Sequence, residues 1–319
     1  MTTDLELALV ESYARDVFTG AGRIFDLGCW YGATTAALAR GLAGNTTATG
    51  NRRIQALDIF IWESWMNPIA RQVGLHAHHA DSSSFFAAVQ ERLEPFDGLV
   101  DLQAKDLLAY DPGPGSIEFL FLDAMKTWPL ADVIYRRFFP HLIPGTSLVV
   151  QQDFTWHHPV IATAHMMMWR LRDQFPFLHS VPYSSSTVYL CSDRVDWDGE
   201  PANAPDSFSL DDIHEAYEYS YACCGLERSL PLRAAKAGFL AQRQFYQSAL
   251  AEAREVFIKS DQLPASVAAD IMQWIHDVRD DVPPSPDAVG ESSQSSYEEL
   301  MAYLSARTTR SDTSPGVRA

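Results

Sequence analysis

Cysteine is scarce, four residues in 319, too few for a disulfide framework. Cys29 and Cys191 fall in predicted core segments, and Cys223 and Cys224 are neighbours, an awkward pair to bridge. Reduced thiols in a cytoplasmic protein are therefore expected. No apolar run approaches the ~20 residues of a membrane span. The opening residues carry Asp4, Glu6 and Glu11 and no positive segment, so no secretion signal is read there. Positive charge is also short: 24 Lys and Arg stand against 41 Asp and Glu, a formal net charge of −17. Between Asp193 and Leu300 the excess of acids is 21 over 8. Such a surface repels phosphate backbones at long range, which discounts nucleic acid as partner or substrate. No G-x-S-x-G elbow, P-loop, C-x-x-C or G-x-G-x-x-G occurs.

What is present is an ordinary globular mix, 47% hydrophobic and 20% charged, with strands and helices in alternation. Helix-like apolar spacing runs over Asp4–Phe18. Short apolar runs read as strands at Arg23–Leu27, Ile54–Phe60, Leu99–Ala104, Ile117–Ala124 and Thr146–Gln152. Helices are read at Gly32–Leu42, Ser82–Leu93 (Ser82 or Ser83 as cap), Leu130–Phe139 and the Met-rich Ile161–Gln174, whose Met166–Met168 run is read as core. Strand-like residues return at Thr187–Cys191. The segment Ile61–Gly74, with Trp62, Trp65 and Pro68, shows no clear period. The alternation predicts an α/β fold: a doubly wound, mostly parallel, Rossmann-like sheet with a C-terminal helical appendage.

The domain reading is 1–193 for the sheet, 194–281 for the appendage and 282–319 for a largely disordered tail with a short helix at Tyr297–Ala306. In the appendage Ser209 opens a helix with Asp212 placed for a capping box. One long helical pattern follows from Pro231 to Lys259, then a third helix from Pro264 to Asp281. These helices are expected either to cover the site or to build a homodimer.

The stretch "RIFDLGCWYGATTAALARGL" (Arg23–Leu42) is a strand, a glycine turn and a helix. A dinucleotide fold wants G-x-G-x-x-G there, so that a pyrophosphate can approach the helix. The pattern here is D-x-G-x-x-x-G: Asp26, Gly28, Gly32. An acid at the strand end repels a pyrophosphate and favours a ligand bearing a positive amine, as S-adenosylmethionine (SAM) does. Gly28 and Gly32 let the backbone approach that ligand. Asp58 ends the second strand, placed for ribose hydroxyls. Asp106 follows the third, placed for the adenine amine, and Asp123 ends the fourth. All four sit at carboxyl ends of strands, where open α/β sheets bind ligands.

On these residues the chain resembles the class I SAM-dependent methyltransferases. "FDLGCWYGATT", "ALDIF" and "FLFLDAMKTW…LIPGTSLVVQQDF" are similar to the branch holding macrocin-type sugar O-methyltransferases and, more distantly, catechol and caffeoyl-CoA O-methyltransferases. The resemblance covers about residues 5–192. It implies SAM as cofactor, held by Asp26, Gly28, Trp30, Gly32, Thr34, Asp58, Asp106 and Asp123. It also implies O-methylation of a small hydroxylated molecule, a sugar or natural product, and no membrane partner.

Methyl transfer needs a nucleophile that is held close and deprotonated. In the catechol-type branch a lysine three residues after the fourth-strand acid resembles a general base, and Lys126 stands there. His157 and His158, just after the fifth strand, compete, since histidine titrates near neutrality. Asp123 and Asp153 are read as orienting substrate. Related enzymes hold a divalent ion with acids at the end of the fifth strand. Here Gln151 and Gln152 stand in their place, and Asp153 comes one residue later. Neutral amides suit Mg²⁺ poorly, so Asp123 and Asp153 are the only ligand candidates and metal is not favoured. "HAHHAD" (His76–Asp81) misses a metal motif by one residue. Two rival readings remain: a non-catalytic SAM-binding partner that docks through its helices, and an NAD-dependent oxidoreductase, which the missing glycine fingerprint disfavours.

Overall fold

The computed structural model describes residues 2–50, 52–75, 79–195, 204–225, 228–258, 266–278, 288 and 292–308. They divide into two compact units: 1–124, 133–152 and 173–198 form the first, and 125–132, 153–172 and 199–319 the second.

The first unit is built on a seven-stranded sheet in the order β3-β2-β1-β4-β5-β7-β6. Its strands are β1 (Arg23–Leu27), β2 (Ile54–Asp58), β3 (Val100–Ala104), β4 (Ile117–Leu122), β5 (Leu148–Gln151), β6 (Phe177–Ser180) and β7 (Thr187–Leu190). The first five run parallel, and β7 runs antiparallel to both its neighbours. Every residue of β4 is buried, as a central strand covered on both faces requires. Helices α1 (Asp4–Ser12), α2 (Ala33–Gly44), α3 (Met66–Gln72) and α4 (Phe86–Leu93) belong to this unit. A capping box between Thr3 and Glu6 starts α1. Phe18, Ile24, Leu38, Ile54, Trp62 and Phe119 lie in one buried cluster with neighbours from these elements.

The order 3-2-1-4-5 is that of the dinucleotide-binding sheet. The departure comes after β5, where a hairpin inserts β7, reversed, between β5 and β6. The predicted Rossmann-like α/β class holds. Strand β6, four residues at the sheet's rim with two exposed, has no alternation to betray it. The helix predicted from Ser82 begins only at Phe86: Ser82 has φ +62° and Ser84 bridges to Ile61. Residues 66–72, within the segment without a clear period, form α3.

The second unit is helical. It holds α6 (Ala162–Arg170), α7 (Leu210–Cys224), α8 (Ser229–Gln242), α9 (Tyr246–Ile258), α10 (Ser266–Val278) and α11 (Gln294–Thr308), while α5 (Trp128–Phe138) starts in this unit and ends in the first. Ser209 and Asp212 form the predicted capping box at α7, and Met166–Met168 are fully buried. The single helix expected over Pro231–Lys259 is instead two, α8 and α9. The chain turns between them, with Gln244 at φ +63°. Apolar spacing continues through that turn, so periodicity alone could not show it. Lys259, Pro264, the Pro/Ser-rich 282–287 and the tail beyond 308 lie outside the described residues.

Composition placed one boundary near residue 193. By compactness, 125–132 and 153–172 go with the helices, because α6 packs on α7 and the turn Pro159–Ile161 packs on α8. A Cβ on Gly238 would meet the Pro159 ring at 2.0 Å, so that contact depends on glycine.

Candidate functional site

The sheet register explains why a row of polar groups gathers at one edge. Asp26 on β1 pairs with Ala56 on β2 and with Phe121 on β4. Side chains alternate between faces with a period of two. Asp58 lies two residues beyond Ala56, and Asp123 two beyond Phe121, so all three share the face of Asp26. Phe121 pairs in turn with Val150, which brings Gln152 into the same row. The ladder continues past the strand ends, with the Asp123 N–H donating to Leu27 and the Gln152 N–H to Leu122.

Asp26 is fully buried. The Thr35 hydroxyl on α2 donates to its Oδ2 at 2.6 Å, while Oδ1 has no hydrogen-bond partner among the described residues. Burial, with smaller contributions from Asp123 and Asp58, lifts the Asp26 pKa to about 7. Asp58 accepts the backbone N–H groups of Trp30 (2.9 Å) and Phe60 (3.0 Å), and burial raises its pKa against those bonds. The Gln152 amide end lies against Asp123, and the orientation its surroundings require turns its nitrogen towards both carboxylate oxygens, at 3.1 and 2.5 Å.

The turn between β1 and α2 is strained in the places where glycine is useful. Gly28 has φ +85°, and a Cβ there would meet the backbone of Ala124 and Asp123 at 2.9 and 3.0 Å. Gly32 caps α2 in the left-handed region, φ +72°. Trp30 lies between them at φ +44°, and its buried indole N–H has no acceptor among the described residues. Thr34 is buried at the start of α2, beside the Thr35 that bonds Asp26. Asp106 differs from the rest: it is exposed, and its Oδ1 accepts the Leu108 N–H in a turn.

In the second unit the candidate bases form a separate cluster. Lys126 Nζ pairs with Asp153 Oδ2 at 2.7 Å. Asp153 sits in a turn at φ +58°, a conformation aspartate tolerates. His158 is stacked on Trp156 and accepts the Val160 N–H on Nδ1 at 3.2 Å, capping the turn at Pro159. Burial, then His157 and Lys126, push its pKa down to about 4 against the pull of Asp270. His157 Nε2 lies 2.9 Å from Asp270 Oδ2 on α10.

Among the described residues no group of three or more His, Cys, Asp or Glu side chains is placed to hold a metal ion. The two residues considered as ligands are engaged otherwise, Asp123 by Gln152 and Asp153 by Lys126. His76 and His78 of the histidine-rich stretch lie outside the described residues. His79 bonds the Tyr31 hydroxyl.

Sequence reading missed Thr35, Gln152 as the partner of Asp123, and Asp270. Thr35 was findable, nine residues after Asp26 in the first turn of a predicted helix. Asp270, 113 residues from His157, carried no local signal.

Strand order and the reversed β7 define a Rossmann-like α/β protein, with the polar row at the carboxyl edge of its sheet, the edge at which open α/β sheets bind ligands. No family model matches the sequence, and no curated protein matches it. Among solved structures the chain is similar to CalS11, a calicheamicin methyltransferase, at 16% identity and TM-score 0.42, over 59% of this chain and 78% of that one. It is similar to a chain described as an rRNA methylase from Clostridium thermocellum, at 12% identity and TM-score 0.39, over 61% and 100%. It is also similar to OxaC, solved with S-adenosylhomocysteine and oxaline, at 13% identity and TM-score 0.38, over 59% and 46%.

Proposed function

We propose that this chain is a SAM-dependent O-methyltransferase acting on a small hydroxylated molecule, a sugar or natural product. One observation carries the reading: a buried carboxyl, Asp26, with one oxygen unpartnered among the described residues, stands in a row with Asp58 and Asp123 at the ligand-binding edge. Three acids crowded together favour a cationic ligand over a pyrophosphate, and a methionine ammonium answers the orphaned oxygen. The indole N–H of Trp30 is a donor in want of an acceptor, which the same ligand's polar atoms offer. The residues fit SAM on these grounds.

In this reading Asp26 faces the ammonium and is held in place by Thr35. Asp58, fixed by two backbone N–H groups, keeps lone pairs for ribose hydroxyls. Gly28, Trp30, Gly32 and Thr34 shape the turn that the ligand crosses, and Asp106 is assigned to the adenine amine. Asp123, oriented by Gln152, closes the row. When bound, SAM supplies an electrophilic methyl group: the acceptor oxygen bonds its carbon, the carbon–sulfur bond breaks, and S-adenosylhomocysteine leaves. Lys126, His157 and His158 are the candidates for taking the acceptor's proton. The helices after residue 194 are assigned to a lid or a homodimer, which sedimentation of the full chain separates. Four free thiols suit a reducing compartment such as the cytoplasm.

Calorimetric titration with SAM and with S-adenosylhomocysteine tests the reading. Saturable heat, with each ligand displacing the other, is expected, followed by transfer of a tritiated methyl group to a hydroxylated acceptor panel that includes TDP-rhamnose and catechol. Absence of heat, or quenching of NADH fluorescence instead, would refute it.

A further inference from the structure

Asp26 has two carboxyl oxygens, and its surroundings divide them. The Thr35 hydroxyl on α2 has one proton and donates it to Oδ2 at 2.6 Å, which makes Oδ2 an acceptor. Oδ1 has no hydrogen-bond partner among the described residues. The side chain is fully buried, and a buried carboxylate with one oxygen unanswered is costly. Protonation relieves that cost, and Thr35 leaves only Oδ1 to carry the proton. The same oxygen is the one left for a ligand's ammonium. One atom therefore has two claimants, and they exclude each other.

The groups around Asp26 push the same way. Asp58 faces it from β2 and Asp123 from β4, and both add to the cost of its charge. The buried Cys29 thiol in the turn has a pKa well above its usual value, so it stays neutral. Thr35, from α2, is uncharged, and its bond works against protonation. No cation is among these groups, and all belong to the sheet unit. Burial, followed by the two acids, lifts the Asp26 pKa to about 7, so the proton is held at and below neutral pH. Asp58 differs in one respect. Each of its oxygens accepts a backbone N–H, Oδ2 from Trp30 and Oδ1 from Phe60, so its charge is answered before any ligand arrives.

We propose that Asp26 carries a proton on Oδ1 in the ligand-free protein and that a ligand's ammonium displaces it, so that SAM and S-adenosylhomocysteine bind with release of one proton to solvent. The ligand's identity rests on the methyltransferase reading above, whereas the proton rests on the sheet unit alone. The exchange balances: the carboxyl O–H bond breaks, the proton leaves to the buffer, and the ammonium donates to the carboxylate oxygen so exposed. A neutral acid is replaced by an ammonium–carboxylate pair, and the buried row gains no net charge. Affinity follows the ionised fraction of Asp26 and rises with pH through neutrality.

Two measurements on the full chain test the proton and its displacement separately. Calorimetry in buffers of different ionisation enthalpy counts protons. S-adenosylhomocysteine is expected to release about one proton at pH 6 and little at pH 8, and to bind about tenfold more tightly at pH 8 than at pH 6. The compound 5′-methylthioadenosine keeps the adenosine and lacks the ammonium, and it is expected to release none. Equal release by both ligands would assign the proton to Asp58 and overturn the proposal. Binding of S-adenosylhomocysteine at pH 6 without release would overturn it too. Thr35→Val removes the bond to Oδ2 and is expected to move the midpoint of the affinity profile to higher pH. An unmoved midpoint overturns the division of the two oxygens. In the second measurement, infrared spectra of the ligand-free chain follow the C=O stretch of a protonated carboxyl across pH. The wild type is expected to show a band that disappears as pH rises through about 7, and Asp26→Asn to lack it. Identical spectra overturn the proton whether or not SAM binds. Absence of heat with every ligand overturns the displacement together with the methyltransferase reading, while the infrared band still decides the proton.

Discussion

Asp26 is the residue on which most depends, and its chemistry has a clear sign. Its folded pKa of about 7 lies above that of an unfolded carboxyl, so the folded state holds this proton more tightly. The stability it contributes is complete below about pH 4 and is lost as pH rises through about 7. Asp26→Asn, which keeps the oxygen that Thr35 bonds and removes the charge, is expected to raise the melting temperature of the ligand-free protein at pH 8. The same variant is expected to lose the thermal shift given by S-adenosylhomocysteine. A lower melting temperature with the ligand shift retained would separate Asp26 from the ligand site. Gly28 makes a second prediction. Gly28→Ala adds a Cβ 2.9 Å from the Ala124 nitrogen at φ +85°, and a non-glycine residue in such strain costs about 1–3 kcal/mol. Urea denaturation should show that loss, with ligand binding weakened further because the turn and the end of β4 must part. At this scale the sequence was informative where chemistry is local: Asp26, Gly28 and Gly32 stand within seven residues. It was silent on the tie between Gln152 and Asp123, which requires β4 and β5 to be neighbours.

At the scale of elements, helices with capping signals were legible and short edge strands were not. The Ser209–Asp212 box is a reciprocal pair of hydrogen bonds between side chains and backbone three residues apart, and such a signal survives in any context. Ser209→Ala is expected to cost ~1 kcal/mol in chemical denaturation, with no effect on ligand binding to the sheet unit; a neutral result would show that Asp212 alone holds the cap. The division of Pro231–Lys259 into α8 and α9 was hidden for a physical reason. Both helices bury alanine-rich faces, and Ala241 and Phe245 on either side of the polar Gln242–Gln244 run keep a four-residue apolar spacing, so the reversal reads as one continuous helix. The salt bridges of Glu252 on α9 to Arg233 and to the buried Lys236 on α8 are likewise contacts that only the hairpin creates.

For the molecule as a whole, mild acid removes stability that its buried histidines provide. His158 and His165 have pKa values pressed down to about 4 and about 3 by burial. A histidine whose folded pKa lies below its unfolded value gives stability that is present above about pH 6.5 and lost as pH falls towards the folded value. Asp26 and Asp58, whose pKa values burial raises, act in the opposite sense over part of this range, so the histidine contribution is isolated by substitution. His165→Gln, which preserves a side-chain bond to Ser220 (2.8 Å in the wild type), is expected to flatten the fall in melting temperature between pH 6 and pH 4. An unchanged slope would show that His165 does not carry the effect. The neighbours of His165, Phe154, Tyr217 and Ser220, are uncharged at these pH values. No described helix is long and apolar enough to cross a membrane.

The sequence by itself determined the α/β alternation, the glycine turn after β1 and the acids at the strand ends, because each follows from periodicity or chemistry within a few residues. Only the tertiary structure decided the strand order with its reversed β7, the common face of Asp26, Asp58 and Asp123, and the partnership of His157 with Asp270. Those depend on register and packing between segments tens to a hundred residues apart, and neither leaves a trace in any local window of the chain.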